Sequence, residues 1–207
     1  MSRSINRFIP LGTSFALVLA FGVLAGCAGN SAALADIRYD FGPPPQTPGT
    51  SPMPMVKVLE VTAPETLGTD RLIYRLSYAD AQRTAAYATS HWTMPPAQLL
   101  TQRLRAALST RGTVLTGADA VHAPVLKVDL EQFEQDFDGQ SQSHASVTAR
   151  TTLTANGKVV GQHTFVARAP ADTPDAAGGA RALAAASDDL VAQIGAWLGV
   201  QALVATQ

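Results

Sequence analysis

The stretch Ala123–Gly139, "APVLKVDLEQFEQDFDG", decides the fold. Leu126, Val128 and Leu130 alternate with Lys127, Asp129 and Glu131, so one side of an extended strand is apolar and the other is charged. A second alternating run follows, broken at Asn156-Gly157, a pair suited to a tight β-hairpin turn. A two-residue turn there predicts Val147 opposite Val166 and Leu153 opposite Val160 on one face. Thr148, Arg150, Thr152 and His163 fall on the other face, with Arg150 opposite His163.

Outward from this core, "MVKVLEVTAP" (55–64), "RLIYRLSY" (71–78) and "TAAYATSHWT" (84–93) read as further strands, the last two joined by the polar "ADAQR". "MPPAQLLTQRLRAALSTRG" (94–112) is a helix. Pro95 and Pro96 suit its first turn, Leu100, Leu104, Ala107 and Leu108 form its apolar stripe, and Gly112 stops it. A second, alanine-rich helix opens after Thr173-Pro174 and buries Leu183, Leu190, Val191, Ile194, Trp197 and Leu198. Strands, helix, strands and helix predict an α/β fold: a single domain with a mixed β-sheet and two packed helices.

The N-terminal part has a different character. Arg3 and Arg7 precede the apolar run "FALVLAFGVLAGC" (15–27), which ends at the single cysteine of the 207-residue chain. A basic start, an apolar core and small residues before a cut site make a secretory signal peptide, and Leu-Ala-Gly-Cys matches a bacterial lipobox. Residues 1–26 are therefore expected to be removed and Cys27 to be acylated, which attaches the chain to a membrane without a spanning helix. Ala28 and Gly29 after the cysteine, with no aspartate, favour the outer membrane. Residues 27–54 are assigned to the lipidated cysteine and a tether whose "GPPPQTPGTSPMP" holds neither helix nor central strand. Within it, "IRYDFGP" (37–43) is expected to make a short extended contact. The folded domain is assigned to residues 55–207.

Loss of the leader takes two arginines and no acid, moving the formal charge from −1 to −3. That balance, without a basic cluster, gives no reason to expect nucleic acid as a partner. No Gly-x-Ser-x-Gly elbow is present and the one thiol is committed to lipid, so no catalytic residue is assigned. His91, His122, His144 and His163 share no metal-ligand spacing, and neither metal nor cofactor is expected. Asp129, Glu131, Glu134, Asp136 and Asp138 faintly resemble a calcium loop but lack its remaining ligand positions. Alternation along a solvated strand edge that ends in an Asp-Gly turn explains them. Trp92, between an extended run and Pro95, is assigned a structural role. Arg71 and Arg75, on one face of their strand, are assigned to a partner interface.

The order of these pieces resembles the ABC-type transport auxiliary lipoproteins. The resemblance is carried by the lipobox, "RYDFGP", "VLEVTAPETLGTDRLIYRL", "YATSHWTMPPAQLLTQRLRAAL" and "LKVDLEQFEQDFDG", then the hairpin and final helix. Phe133, Phe137, Asp138 and Gly139 look like the strand-to-turn signature of that family. His91 stands where arginine is common, and Arg38 where an aromatic is. The resemblance implies a TolB N-terminal-like fold and a non-catalytic, outer-membrane lipoprotein of an MCE-type lipid transport system. It further implies an MCE-domain protein as partner and self-association into a homo-oligomer. The alternative from the residues themselves is a periplasmic lipid-binding carrier with an apolar cavity between sheet and helices.

Overall fold

The long strand read from Ala123–Gly139 becomes the spine of an eight-stranded sheet. In the computed structural model, which describes residues 36–45 and 52–205, it runs from Val125 to Phe137 (β6). The other strands are β1 (Ile37–Tyr39), β2 (Val56–Val58), β3 (Arg71–Arg75), β4 (Thr84–Trp92), β5 (Val114–Leu115), β7 (Ser143–Ala155) and β8 (Lys158–Pro170). Two helices, α1 (Pro96–Ser109) and α2 (Ala176–Ala205), complete the order. On one side β6 carries the antiparallel meander β7–β8 along its whole length. On the other it is shared: β2, followed by β5, takes its first residues and β3, followed by β4 and β1, its last. The α/β fold with a mixed sheet and two helices is as expected.

Alternation is not uniform along β6. Leu126, Val128 and Leu130 are buried, and then the parity changes to Phe133, Gln135 and Phe137. A register shift between Leu130 and Gln132 accounts for it, since one extra residue reverses every later side chain. The two-residue turn is present, with Asn156 at φ 52° and Gly157 at φ 75° and Ala155 facing Lys158. Beyond it a second shift, between Leu153 and Thr154, corrects the expected pairing. Leu153 faces Gly161, Val147 faces Ala167, Thr148 faces Val166 and Arg150 faces Thr164. The physical reason lies on α2. A Cβ at Gly161 would sit 3.0 Å from both the Trp197 ring and Gln201 Oε1, and the extra residue places glycine at this close approach. Val166 consequently turns outward and is 51% exposed.

Helix α1 buries Leu100, Leu104 and Leu108, and α2 buries Leu183, Leu190, Val191, Ile194 and Leu198, as their periodicity requires. Gly112 follows α1 because a Cβ there would lie 2.2 Å from the Met53 carbonyl oxygen. No helix among the described residues is long and apolar enough to cross a membrane.

Two expectations change. The compact unit begins at Asp36, so the domain starts well before residue 55. β1 joins the sheet and Phe41 joins the core, because an aromatic ring and three backbone pairings outweigh the loop character of the neighbouring prolines. Nor is β6 a solvated edge. It is interior to the sheet, and Glu134 is 4% exposed. The leader and Cys27 lie outside the described residues.

Candidate functional site

The segment that joins the N-terminal arm to the domain is built into the core by three elements. β1 runs parallel to the end of β4, pairing Ile37 with Ser90, Arg38 with His91 and Tyr39 with Trp92. The Thr93 amide donates to the Tyr39 carbonyl at 2.8 Å. Arg38 lies between Asp36 at 2.9 Å and Asp70 at 2.8 Å, and His91 contacts Asp36 at 2.5 Å. The His91 hydrogen bond is the main reason the Asp36 carboxyl is held below the usual carboxylate range. The chain then turns at Gly42, whose φ of 63° favours glycine, and the Gly42 amide donates to the Asp40 carboxylate at 2.7 Å.

This turn places Phe41 inward. Its ring meets Trp92 edge-on at 5.8 Å and stacks with Phe133 at 6.0 Å, while Trp92 and Phe133 are 5.6 Å apart. Trp92 is fully buried. From α1, Arg103 reaches under the turn. Its guanidinium donates to the Phe41 and Gly42 carbonyls, the latter at 2.8 Å, and lies 5.8 Å from the Phe41 ring centre. Asp188 of α2 stands 3.3 Å from Arg103. Burial nevertheless pushes the Asp188 carboxyl up, since desolvation of its charge outweighs the attraction of Arg103. A cleft of about 480 Å³ opens between this strap and α2, bordered by Arg38, Tyr39, Gly42, Ala180, Arg181 and Asp188.

A second buried polar cluster lies beneath the start of α2. The Tyr87 hydroxyl donates to Gln135 Oε1 at 2.9 Å, and Gln135 Nε2 donates to the Ser143 hydroxyl at 2.9 Å. Gly179 is required here, because a Cβ would stand 2.0 Å from Gln135 Oε1. Burial first, and the charge of Asp175 next, push Tyr87 up to about 12, so its proton stays available for donation.

The two interface candidates do not share a site. Arg71 is exposed at the start of β3, opposite His91, and a register shift separates it from Ile73. Arg75 is turned into the domain. It donates to Glu134 through Nε at 2.8 Å and Nη2 at 3.0 Å, and through Nη1 to the Ala81 carbonyl at 2.6 Å. Phe137 is buried, whereas a Cβ on Gly139 would meet nothing within 4 Å, so sterics do not demand glycine there. Among the described residues no group of three or more His, Cys, Asp or Glu side chains is placed to hold a metal ion. His144 pairs with Asp138 at 2.7 Å, while His122 and His163 are exposed.

Sequence reading missed Arg103, Asp188, Gln135 and Gly179. Arg103 had a signal: it falls between Leu100 and Leu104 on the apolar stripe, where a cation needs a buried partner. Gln135 had one as well, between Phe133 and Phe137 on the same face of β6. Neither Asp188 nor Gly179 stands out from its alanine-rich surroundings.

Residues 39–195 match the model of a family described as the ABC-type transport auxiliary lipoprotein component. Among solved structures, protein XCC0632 from Xanthomonas campestris is similar, with a TM-score of 0.67 at 22% identity, covering 83% of this chain and 96% of that one. An uncharacterised protein gives a TM-score of 0.63 at 16% identity, over 79% of this chain and 99% of that one. At these identities the likeness shows the fold. No match is found among curated protein sequences.

Proposed function

The chain belongs to the ABC-type transport auxiliary lipoprotein family, and from that premise we propose that it is the outer-membrane-anchored, periplasmic docking component of an MCE-type lipid transport system. The observation that carries the reading is the strap. A part held by lipid at Cys27 and gripped elsewhere by a partner has to pass load between the two. The first residues after the arm are hydrogen-bonded to β4, tied through Arg103 to α1 and set against Asp188 of α2. The role is non-catalytic, and it needs no metal or cofactor. A homo-oligomer presenting several copies to one MCE-domain protein fits the same role, with exposed Arg71 offered to the partner or to the next copy.

The alternative, a lipid carrier, needs an apolar cavity of roughly 300–1,000 Å³. The larger cleft is edged by Arg38, Asp40, Arg181 and Asp188, and the more apolar one is about 250 Å³. The space between sheet and helices is filled by Leu104, Leu130, Leu183 and Ile194, each at most 1% exposed. Crosslinking in intact cells followed by purification of the lipoprotein tests the docking role. Recovery of an MCE-domain protein that depends on Cys27 is expected. Recovery of bound phospholipid with no such protein would favour the carrier.

A further inference from the structure

The three most exposed large apolar side chains among the described residues are Val159 at 64%, Val200 at 58% and Val166 at 51%. All three flank one strand. Val159 and Val166 belong to β8, on the sheet face away from the helices, where they lie opposite Thr154 and Thr148. Val200 is on α2 beside Gln201, whose side chain approaches Gly161 of the same strand. Between them runs an open sheet edge. Among the described residues β8 pairs only with β7, so along Lys158–Pro170 every second residue turns its backbone N–H and C=O outward. The strands at the other two ends of the sheet, β1 and β5, are three and two residues long, whereas β8 has thirteen. A short edge is protected by its length, and a long one is usually guarded by lysine, proline or inward charge. In β8 Lys158, Arg168 and Pro170 stand towards the ends, and Val159–Ala167 contains no lysine, arginine, acid or proline.

We propose that this edge pairs with the same edge of a second copy of the chain, antiparallel and about a two-fold axis at Phe165. Two observations choose the occupant. The first is self-complementarity. The regular part of β8, beyond the register shift beside Leu153, is Gly161–Ala169, and its midpoint is Phe165. A two-fold axis there, perpendicular to the sheet, keeps both helix layers on one side and sets like faces together. Gln162 of one copy then faces Arg168 of the other, His163 faces Ala167, and Thr164 faces Val166. No like charges are opposed, and Val166 is covered on each side of the axis. The second observation is the helix layer. α2 packs on β8 and β7, with the Trp197 ring 6.0 Å from Phe165. One flank of α2 is taken, since Gly195 and Gly199 lie close to Arg111, whereas Ala196 and Val200 are exposed. A lone strand from another protein would close the edge and leave that flank bare. A second copy brings its own α2 alongside, ~10 Å away, given strands ~4.8 Å apart and a helix seated over two of them. The contact stands apart from the transport role: it needs neither lipid at Cys27 nor an MCE-domain partner.

Cysteine crosslinking of the full-length chain in detergent tests the contact, with Cys27→Ser removing the one native thiol. Val166→Cys puts two thiols in diagonal positions across the axis, ~7–8 Å apart and within reach of a short bismaleimide. Gln162→Cys, on the same face of the same strand, puts them ~20 Å apart at ~3.3 Å per residue. A crosslinked dimer at 166 and none at 162 is expected. Size exclusion with light scattering reads a second set of variants. Thr164→Lys with Val166→Lys opposes cations twice per dimer and is expected to raise the dissociation constant ~10-fold or more. Thr164→Lys with Val166→Glu opposes a cation to an acid and is expected to return it to the parent value. Both positions are exposed, so the fold is retained, which circular dichroism checks. A monomer at every concentration, equal crosslinking at 162 and 166, or an oligomer whose mass is indifferent to the lysine pair would overturn the proposal. So would a Val166→Cys chain that crosslinks in cells to another protein and not to its own copy. None of these outcomes touches the docking role, which recovery of the MCE-domain protein decides.

Discussion

The meander β6–β8 has two faces built from the same strands by opposite rules. The face under the helices places Leu126 beside Leu153, Leu130 beside Ala149 and Phe133 beside Val147, and it admits polar groups where each finds a partner, as Gln135 does. The other face carries Thr148, Thr152, Gln132 and Gln162, linked by side-chain hydrogen bonds such as Gln162 to Thr152 at 2.8 Å. Its charges form open pairs: Lys127 with Asp129 at 2.9 Å, and Arg150 with Asp129 and Glu131 at 4.0 and 3.6 Å. Packing holds the first face, whereas exchangeable polar contacts dress the second. Equal-sized substitutions are therefore expected to have very unequal effects on the two.

Trp92→Ala, on the covered side, is expected to give the largest effect. Removing a fully buried ring that touches Phe41 and Phe133 should cost ~3–5 kcal/mol, read by chemical denaturation. A midpoint unchanged by the substitution would break the contrast at its strongest point.

Arg103→Met is expected to follow at about 3 kcal/mol, because it frees two carbonyls of the strap and leaves Asp188 without its cation. Asp188→Asn in the same chain should recover part of the loss. The sign of the pH effect sharpens this test. The Asp188 carboxyl is raised in the folded state, so its ionisation costs stability as pH climbs from its unfolded value of ~3.9 through the folded one. Without Arg103 that cost should grow and extend to higher pH. A pH profile of Arg103→Met parallel to that of the parent protein would show that the two residues are not coupled.

Gly179→Ala should cost ~1–3 kcal/mol by forcing its methyl group against Gln135, which is hydrogen-bonded at both ends and cannot swing aside. In a Gln135→Ala background the same change should cost less. Equal costs in the two backgrounds would remove the steric explanation.

On the open face, Arg150→Ala is expected to cost under ~0.5 kcal/mol, since its pairs are long and half-exposed. Asp129 gives that face its own pH signature. Burial alone would raise this carboxyl, but hydrogen bonds from Thr62 and Lys127, with the charges of Lys127 and Arg150, bring it below the usual range. Its contribution is thus complete above the unfolded value of ~3.9 and is lost as pH falls through the lower folded value. Asp129→Asn should flatten the acid limb of the stability curve, and an unaltered limb would show that the pairing is inert.

What could be read beforehand follows the same division. Leu126, Val128 and Leu130, the Asn156-Gly157 turn and both helical stripes announce themselves by period, since local patterning and burial agree there. The two register shifts do not; the one beside Gly161 depends on Trp197, a contact distant in the chain. The strap was half legible. Its extended contact followed from "IRYDFGP", but its weight depends on Arg103 and Asp188, more than sixty residues further on. Arg75 illustrates the same limit. Strand alternation placed it on one face, but its ion pair with Glu134, brought alongside by parallel pairing of β3 with β6, was not legible.

The placement of the strap also orders events in time. β1 is among the first parts of the domain to leave a ribosome or a translocation pore, yet every contact that holds it lies downstream, at Ser90–Trp92, Arg103, Phe133 and Asp188. A three-residue parallel strand has no local partner and must wait for a long loop to close. The β6–β8 hairpins, whose contacts are local, form without it. The strap therefore docks only after the rest of the domain has formed, and β1 is the last strand to join the sheet.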